Sequence, residues 1–453
     1  MRRRLSAAED RATSAMGAYD DTLAYLTGLE VSAGWDLKLE RMAAALARRG
    51  HPEARFPAIH IAGTNGKGSA AAMVDSVLTA AGYRTGLYTS PHLVDFTERI
   101  RAGGRTIPRA DVVALVAELR TDLEATGIAL THFEFVTLLA CEWFARLGVD
   151  VGVIEVGLGG RLDATNLVRP VVTAITSIAI DHEEYLGRDL ASIAAEKAGI
   201  AKPAVPLVIG GLPVEADAVI TAHAGAVGAP LVRAGVLEDD PAAGLVFHAP
   251  GGARWEGLRL GLPGAFQREN AAVALTALAL AGARFPCAPA AVRDGLAAVR
   301  WPGRLAVLRR SPLVVADGAH NPAGVAVLAR ELPRLVGDRR VTLVFAVMAD
   351  KAWPAMLALL RPHVARVIVT RVGRRGLEPV RVAERLADGL PVDVVDDPRA
   401  ALRAALDGSA ADDAVLVTGS LFLVGAAYEC FSGGRPLFEP WQASGTGGTE
   451  PRE

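Results

Sequence analysis

A glycine-rich stretch near the start of the chain carries the residue types that bind the phosphates of a nucleotide. It consists of Gly63, Thr64, Asn65, Gly66, Lys67, Gly68 and Ser69. The apolar segment before it, 56–62, predicts a strand, and the alanine-rich segment after it, 69–81, predicts a helix. In such a turn the backbone N–H groups can surround an anion, the lysine can reach the outer phosphates, and the serine hydroxyl can bind Mg²⁺. The stretch therefore predicts an ATP site.

The spacing within this stretch departs from the usual P-loop pattern, G-x-x-x-x-G-K-[ST]. With Gly66 and Lys67 as the Gly-Lys pair, the first glycine would fall at position 61, which is isoleucine, and Gly68 stands where the hydroxyl residue should follow. We therefore expect a variant phosphate loop. The alternative is a plain turn, but glycine-rich turns seldom stand between an apolar strand and a helix.

Three polar residues stand where predicted strands end, and parallel strands bring such ends to one edge of a sheet. Glu155 closes the apolar segment 149–156 and resembles the acid that holds Mg²⁺ beside a P-loop. His182 follows the apolar segment 171–180, and Ser90 follows another short predicted strand. The alternatives are an acid in an exposed turn and a structural histidine. Their common position at strand ends favours a shared site.

Lysine is scarce in this chain, since only five of its 48 lysine and arginine residues are lysine. A chain that uses arginine for general surface charge keeps lysine where a compact, titratable ammonium group is needed. Lys67, Lys197 and Lys351 all lie in candidate motifs. We therefore favour functional roles for them over ordinary positions on a helix surface.

Further polar residues occur in the second half of the chain. A turn after a predicted strand contains Asp317 and His320, which suit contacts with a nucleotide and an amine substrate. Arg304 stands in a Trp-Pro-Gly-Arg hinge, from which it can reach phosphates when a cleft closes. Asn270 is either a nucleotide contact or the N-cap of a predicted helix over 270–282.

Strands and helices alternate through most of the chain, which predicts an α/β protein with two domains. The first would be a P-loop domain with a doubly wound, mostly parallel sheet, and the second a smaller Rossmann-like α/β domain with five strands. We expect a disordered leader over 1–18, an ATP-binding domain over 19–300, a second domain over 301–433 and a disordered tail over 434–453. Segment 204–262 predicts small β elements.

Composition limits the partners and the location of the protein. The chain has 453 residues, a net charge of −2 and three cysteines that lie far apart. The small net charge argues against nucleic acid or an anionic membrane as the main partner, and the cysteines fit a reducing compartment. The longest apolar run, 271–283, is too short to span a bilayer, and the N-terminus lacks the apolar core of a signal peptide. We expect a soluble, cytoplasmic monomer.

Together these motifs resemble the folylpolyglutamate synthase/dihydrofolate synthase branch of the Mur ligase family. The matching segments are 63–69, 90–93, 131–135, 155–166, 181–182, 196–200, 302–304 and 317–322. Their order and joint presence carry the resemblance. It implies an ATP- and Mg²⁺-dependent ligase that adds L-glutamate to dihydropteroate, to (poly)glutamylated tetrahydrofolate or to both, through an acyl phosphate. It also implies that 19–300 is the Mur-type ATP-binding domain and 301–433 the glutamate-ligase domain.

The resemblance implies contacts to the nucleotide and the metal. The implied ATP contacts are Gly63, Thr64, Asn65, Gly66, Lys67, Gly68, Ser69, Asn270, Arg304 and Asp317. The implied magnesium ligands are Ser90, Glu155 and His182. Lys197 matches a lysine that carries a carbamate in this family, which turns a cation into an anion that can bind metal.

The resemblance also implies substrate contacts and catalytic groups. Phe133, Asp163 and Ala164 fall in segments that shape the pterin pocket, while His320 and Ser420 lie where glutamate is bound. The implied catalytic residues are Lys67, Lys197, Asp317 and His320. The small-molecule partners would be dihydropteroate, folates and L-glutamate.

Two alternative functions stay open at this point. A Mur-type ligase of cell-wall precursors would use the same phosphate chemistry, although Gly68 and the Asp-Ala-Thr-Asn run at 163–166 argue against it. A non-catalytic ATP-binding switch would not need the cluster of Asp317 and His320. Which of the two synthase activities is present is also open, because both would use the same phosphate machinery.

Overall fold

A computed structural model describes residues 17–29, 38–373, 375–386 and 389–442. Residues 17–29 are helical and form α1. Most of the expected disordered leader, 1–18, lies outside the described residues, and its last two residues belong to α1. Residues 443–453 of the expected tail also lie outside them.

The first domain of the described chain carries the phosphate loop. Its strands are β1 Ala58–Ala62, β2 Thr85–Tyr88, β3 Ile100–Ala102, β4 Arg105–Thr106, β5 Val151–Glu155, β6 Pro170–Ile175, β7 Leu207–Ile209, β8 Leu231–Arg233, β9 Val236–Asp240, β10 Gly244–His248 and β11 Arg254–Leu258. Its helices after α1 are α2 Glu40–Arg48, α3 Lys67–Ala80, α4 Arg109–Thr126, α5 His132–Leu147, α6 Glu183–Leu186, α7 Leu190–Ala198, α8 Val214–Val227, α9 Gln267–Ala281 and α10 Pro289–Ala298.

The main sheet of this domain has β1 near its centre, in the order β4-β3-β2-β5-β1-β6-β7-β8. Strands β2, β5, β1, β6, β7 and β8 run parallel, and β3 and β4 extend the edge in antiparallel pairing. Every residue of β1 and β5 is buried, as expected for parallel strands covered on both faces. The carboxyl ends of β1, β2, β5 and β6 therefore meet at one edge, which is where such folds bind ligands.

Side-chain alternation along β1 assigns its two faces to different helices. Ile59 and Ile61 pack into one cluster with α3, α9 and α10. Ala58 packs with α1, α2, α4 and α5, and Ala62 packs with α7 and α8. Fully burying each large aliphatic side chain contributes about 1.5–3 kcal/mol, so these clusters fix the position of β1 and of the loop that follows it.

The segment 204–262 is only partly as the sequence predicts. Strands β9, β10 and β11 form a small antiparallel sheet, in agreement with the expected β elements. The same segment also contains β7, β8 and the helix α8, which the glycine and proline residues of this segment obscured. Phe247 of β10 stacks on Trp255 of β11 and is buried in the cluster that contains α3 and α9.

The second domain is built on a mixed sheet in the order β12-β13-β17-β14-β15-β16. Its strands are β12 Ala306–Arg310, β13 Leu313–Ala316, β14 Val341–Phe345, β15 Arg366–Val369, β16 Val392–Val394 and β17 Ala414–Thr418. Its helices are α11 Pro322–Val336, α12 Trp353–Leu360, α13 Pro379–Leu386, α14 Pro398–Asp407 and α15 Leu421–Ser432. The sequence predicted all of these strands except β12, an antiparallel edge strand in which exposed Val307 and two arginines hide the apolar pattern.

Residues 434–442, which we name the return segment, correct the expectation of a disordered tail over 434–453. This segment leaves α15 and pairs with β4 of the first domain. Thr106 N donates to Glu439 O at 2.9 Å, and Trp441 N donates to Thr106 O at 2.7 Å. The Trp441 ring packs edge-on against Trp143, with 6.2 Å between centroids. Aromatic side chains thus anchor a segment whose glycine and proline content suggested disorder.

No helix in the described part of the chain is long and apolar enough to cross a membrane.

Candidate active site

The phosphate loop is held in place by hydrogen bonds to the residues that follow β6. Thr64 N donates to Ser177 O at 2.7 Å, and Asn65 N donates to Ser177 Oγ at 2.9 Å. Gly63 has φ +146°, and a Cβ there would lie 2.0 Å from Thr176 Oγ1, so only glycine fits. Helix α3 begins at residue 67, two residues earlier than predicted, so its N-terminus faces into the loop.

Two further glycines of the loop admit neighbouring side chains. At Gly66, which has φ +86°, a Cβ would lie 2.1 Å from Asn270 Oδ1. At Gly68 it would lie 2.4 Å from the ring of Trp301, which explains why a glycine replaces the usual hydroxyl residue. Ser69 lies one residue further on, with its Oγ buried and without a hydrogen-bond partner among the described residues. An orphaned hydroxyl at the start of α3 fits a phosphate or metal ligand.

Asn270 is not the N-cap that one of our two interpretations proposed. Helix α9 begins at Gln267, so Asn270 lies inside its first turn and its Nδ2 donates to Gln267 Oε1 at 2.9 Å. Its side chain instead contacts the phosphate loop at Gly66. The arrangement leaves the functional interpretation, a contact near the nucleotide.

Two lysines converge on one carbonyl of the phosphate loop. Lys67 Nζ donates to Gly63 O at 3.1 Å, and Lys197 Nζ donates to the same oxygen at 3.0 Å. Lys197 is 5% exposed, and burial together with the Lys67 ammonium lowers the pKa of its amine to about 7. Near neutral pH the Lys197 amine is therefore present in both its charged and its uncharged form.

The predicted metal ligands lie at the carboxyl edge of the main sheet. Ser90 N donates to Glu155 Oε2 at 3.2 Å. Burial raises the pKa of Glu155, while nearby Lys67 opposes the shift. His182 takes a left-handed conformation, with φ +54°, and burial lowers the pKa of its imidazole to about 4, so it is neutral and able to bind metal at neutral pH.

These residues fit a magnesium ion that is held largely by the substrate. The described residues contain no group of three or more His, Cys, Asp or Glu side chains that could enclose a metal. Mg²⁺ usually binds through one or two carboxylates, substrate phosphates and water. The described chain offers one buried carboxylate, Glu155, and the orphaned hydroxyl of Ser69 at the start of α3, which are groups of the kind that such a site uses.

Asp181 joins the two domains at the mouth of the phosphate loop. Lys351 Nζ donates to its Oδ1 at 2.6 Å, and Asn321 Nδ2 donates to its Oδ2 at 2.9 Å. Asn321 also pairs with Asn65 of the loop, with N–O distances of 3.2 and 3.1 Å. The scarcity of lysine predicted a functional role for Lys351 without indicating its partner, whereas Asp181 and Asn321 were included only as members of the matching segments 181–182 and 317–322.

The turn after β13 brings Asp317 and His320 close to this junction. Asp317 is buried and accepts from the backbone N–H groups of Leu305 and Ala319, both at 2.9 Å. Burial raises the pKa of Asp317, and Arg304 opposes that shift. The His320 Nδ1 lies 2.8 Å from Gly318 O, so Nδ1 carries the proton, and Nε2 faces Asp181 at 3.8 Å.

Other predicted substrate contacts make hydrogen bonds or packing contacts within the protein. Ser420 caps α15 by accepting from Phe422 N at 3.2 Å. Asp163 accepts from Leu158 N at 2.8 Å and so closes the loop after Glu155. Ala164 is buried in the core, whereas Phe133 is half-buried. The Phe133 ring lies 6.1 Å from Tyr88 and covers Gly157 of the same loop.

Comparison with known proteins agrees with this geometry. Residues 303–421 match the family description "Mur ligase, glutamate ligase domain". The chain is 36% identical over 432 residues to the folylpolyglutamate synthase of Lacticaseibacillus casei, which covers 92% of this chain and 99% of that protein.

Two solved structures share the fold. The structure of E. coli FolC in complex with DHPP and ADP has a TM-score of 0.82 and 36% identity, and covers 91% of this chain and 98% of that one. The bifunctional folylpolyglutamate synthase/dihydrofolate synthase of Yersinia pestis, complexed with AMPPNP and Mn, has a TM-score of 0.81 and 34% identity, and covers 91% of this chain and 98% of that one.

A phosphate loop on a parallel sheet, facing a second α/β domain of this type, defines an ATP-dependent ligase of the Mur class. More narrowly, the chain belongs to the folylpolyglutamate synthase/dihydrofolate synthase family. This confirms the resemblance, the α/β fold class, the ligase activity and the requirement for ATP and a divalent metal that the sequence predicted.

Proposed function

We propose that this protein joins L-glutamate to dihydropteroate and to reduced folates that already carry glutamate. The observation that carries the proposal is the direct contact between the phosphate loop and the second domain, through Asn65 and Asn321. It sets His320 and Asp317 beside the loop, so a phosphorylated acceptor and an incoming amine can meet.

The reaction has two steps, and neither requires a nucleophile from the protein. A carboxylate oxygen of the acceptor attacks the γ-phosphorus of ATP, the bond to the β-phosphate oxygen breaks, and ADP leaves. The amine nitrogen of glutamate then attacks the carbonyl carbon of the acyl phosphate. The tetrahedral intermediate expels phosphate, and the nitrogen loses a proton to form the amide.

The phosphate loop would bind and orient ATP. Its N–H groups and Lys67 would neutralise the phosphates, and Lys67 is already aimed at the loop interior. Arg304 and Asp317 would contact the nucleotide from the second domain, with Asn270 beside Gly66.

Ser90, Glu155 and His182 would hold the magnesium ion. When bound, Mg²⁺ neutralises charge on the transferring phosphoryl group. Lys197 would carry a carbamate, because its lowered pKa supplies the neutral amine that attacks CO₂. The carbamate would also remove the repulsion between two ammonium groups that share one carbonyl oxygen.

His320 would accept the proton from the glutamate amine. Burial lowers the pKa of its imidazole, and the contact between Nδ1 and Gly318 O leaves Nε2 unprotonated. Ser420 would contact glutamate through its hydroxyl. Phe133 would stack on the pterin, with Asp163 and Ala164 fixing the loop that faces it.

A phosphate-release assay tests the proposal. We expect release from ATP to require both L-glutamate and a pteroate or folate acceptor, with dihydropteroate and tetrahydrofolate compared side by side. Lys67→Ala should abolish release while the protein stays folded, and Lys38→Ala, an exposed lysine outside the site, is the matched control. Turnover with a UDP-muramyl acceptor instead would indicate a cell-wall ligase, and nucleotide binding without any turnover would indicate a switch.

We further propose that the protein is a cytoplasmic monomer. The described residues bury their apolar side chains in five clusters within one chain, and the three cysteines are unpaired. Light scattering after size exclusion should give a mass near 47.2 kDa. A mass twice as large would refute the monomer, and recovery in the membrane fraction would refute the location.

A further inference from the structure

A buried arginine in the first domain has no role in the site described so far. Arg101 lies on β3, is 3% exposed, and its Nε and Nη2 have no hydrogen-bond partner in the described part of the chain. Burying a charged group without such partners is unfavourable, so it persists only where something else compensates. The charged groups that face it are Asp75 of α3, Glu98 and Glu155.

The three carboxylates provide part of that compensation, and two aromatic rings from distant parts of the chain add to it. The Arg101 guanidinium carbon lies 4.1 Å from the centroid of Phe438, in the return segment, and 5.1 Å from the centroid of Trp301, in the linker between the domains. A planar guanidinium over aromatic rings gains cation–π attraction, which is strongest where water is excluded. Arg101 thus joins the return segment to the linker.

The linker side of this stack rests on the phosphate loop. The Trp301 ring lies so close to Gly68 that a Cβ there would approach it to 2.4 Å. Arg304 follows three residues later in the same linker and lines the same cavity as Gly68, Trp301 and Phe438. Phe438, Arg101, Trp301 and Gly68 therefore form one column from the return segment to the nucleotide site.

We propose that Arg101 is a positioning residue for the nucleotide, and that Phe438 of the return segment holds it in place. The column presses Trp301 onto Gly68 and keeps the backbone N–H groups of the loop aimed at the phosphates. Loosening the column leaves the loop and Arg304 free to move. Binding of the nucleotide must then order them, and the entropy lost in doing so weakens the affinity. The inference rests on the proposed function only in that the loop binds a nucleotide.

The test compares Mg²⁺–ADP binding to the full-length protein and to variants by titration calorimetry. Phe438→Leu removes the ring but keeps the apolar volume, and we expect it to weaken ADP binding about 3- to 30-fold, the range of a partly buried cation–π contact. Phe438→Tyr keeps the ring and should bind within about twofold of wild type. The matched control is Glu439→Ala, since Glu439 is exposed and pairs with β4 only through its backbone.

A second variant guards against misfolding of the first. Arg101→Lys keeps the charge but loses the planar group, so we expect the same weakening, and the double variant with Phe438→Leu should be no weaker than either single variant. Calorimetry separates the fraction of competent protein from its Kd. A lower fraction at unchanged Kd, or additive losses in the double variant, would refute the column.

ADP can bind without any ligation reaction, so a failure of the Arg101–Phe438 proposal can be distinguished from a failure of the proposed function. Wild-type protein that binds Mg²⁺–ADP but releases no phosphate with any folate acceptor would refute the function and leave the column standing. If instead the wild-type protein turns over a folate acceptor and Phe438→Leu binds ADP normally, the column would be refuted and the proposed function would stand.

Discussion

Besides the return segment, two sets of contacts between the domains can be compared, and they differ in chemistry. The polar set lies at the mouth of the phosphate loop, where Asp181 accepts hydrogen bonds from Lys351 and Asn321. Asn321 also exchanges hydrogen bonds with Asn65. The apolar set lies on the linker side, where Leu93 of the first domain packs into the hydrophobic cluster of the second domain.

The apolar set can hold the domains together, whereas the polar set can also fix how they are aligned. Apolar contacts are non-directional, and the Leu93 backbone lies close against Gly425 of α15. The polar set demands particular atoms at particular distances. Asp181 and Lys351 are each only 7% exposed in their side chains, so removing either partner leaves a buried charge. We therefore expect changes in the polar set to affect catalysis far more than changes in the apolar set.

Among substitutions that test this comparison, the largest loss should follow Asp181→Asn. The substitution preserves the size of the side chain but removes the carboxylate charge that lies 2.6 Å from Lys351 Nζ, so the Lys351 ammonium stays buried without a counter-charge at that distance. Breaking one side of a buried ion pair typically costs about 3–5 kcal/mol, so kcat/KM for glutamate should fall about 100-fold or more. Steady-state kinetics at saturating ATP would measure it.

Asp350→Asn is the control for that experiment. The Asp350 carboxylate lies 3.6 Å from the same ammonium, but its side chain is 52% exposed. Exposed ion pairs contribute about 0–1 kcal/mol, so the change in kcat/KM should stay within about fivefold. Equal losses in both variants would contradict the distinction between buried and exposed partners.

The second-largest effect should come from Lys197→Ala, which removes an amine beside the polar set. If the amine carries a carbamate, activity should fall about 10- to 100-fold, as for other metal-site groups, and short carboxylic acids should restore part of it. Full activity without any acid would exclude the carbamate.

The wild-type protein offers an independent check of the same residue. Because the pKa of Lys197 is lowered to about 7, its amine is increasingly protonated below that pH and cannot react with CO₂. Activity should therefore fall between pH 8 and pH 6, most strongly when bicarbonate is depleted. The acid-rescued Lys197→Ala variant should lose this bicarbonate dependence.

The elements that follow from local pattern were predictable from sequence. Glycine spacing identified the loop, and apolar runs identified β1, β6 and β5 with its polar end, Glu155. The strand predicted over 171–180 ends earlier, at Ile175, so His182 lies in the connection just before α6. Parallel strands with buried faces have continuous apolar sequences, so chain order alone placed these ends at one edge.

Contacts between distant segments were not predictable. Asp181 and Lys351 are 170 residues apart, and no local pattern pairs them. The return segment is a similar case, because its composition resembles a disordered tail while Phe438 and Trp441 find partners only in the folded first domain. Trp301 explains Gly68, but the sequence offered the glycine only as a departure from a motif.

A smaller effect is expected from the apolar set. A Cβ added at Gly425 would lie 2.0 Å from Leu93 O, a backbone atom that can move only with its loop. Overpacking of this kind costs about 1–3 kcal/mol, so Gly425→Ala should lower the free energy of unfolding by that amount. We expect kcat/KM to change less than about tenfold. Urea unfolding and kinetics on one preparation would measure both.

Gly225→Ala is the matched control for that substitution. Gly225 lies in helix α8 with nothing within 4 Å of an added Cβ, so alanine should be neutral or stabilise the protein by up to about 1 kcal/mol. If Gly425→Ala reduced catalysis as severely as Asp181→Asn, the apolar set would be an alignment device after all.

The smallest effect at neutral pH is expected from His60→Gln, which touches neither set. His60 lies on β1, fully buried, with Nε2 2.8 Å from Thr165 Oγ1, which in turn donates to Asp163 at 2.5 Å. Burial, assisted by Lys202, lowers the pKa of His60 to about 3, far below the value near 6.5 expected in the unfolded chain. The unfolded state therefore binds a proton between pH 3 and 6.5 that the folded state refuses, and stability falls as pH drops below 6.5.

Glutamine can keep the contact with Thr165 but does not titrate. On lowering the pH from 7 to 5, wild type should therefore lose about 2 kcal/mol more unfolding free energy than His60→Gln. Urea titrations of both proteins at the two pH values would measure the difference, while kcat/KM at pH 7 should stay unchanged. Parallel losses in both proteins would mean that His60 is already protonated in the fold, and a fall in kcat/KM at pH 7 would mean that the loop at 157–166 depends on this imidazole.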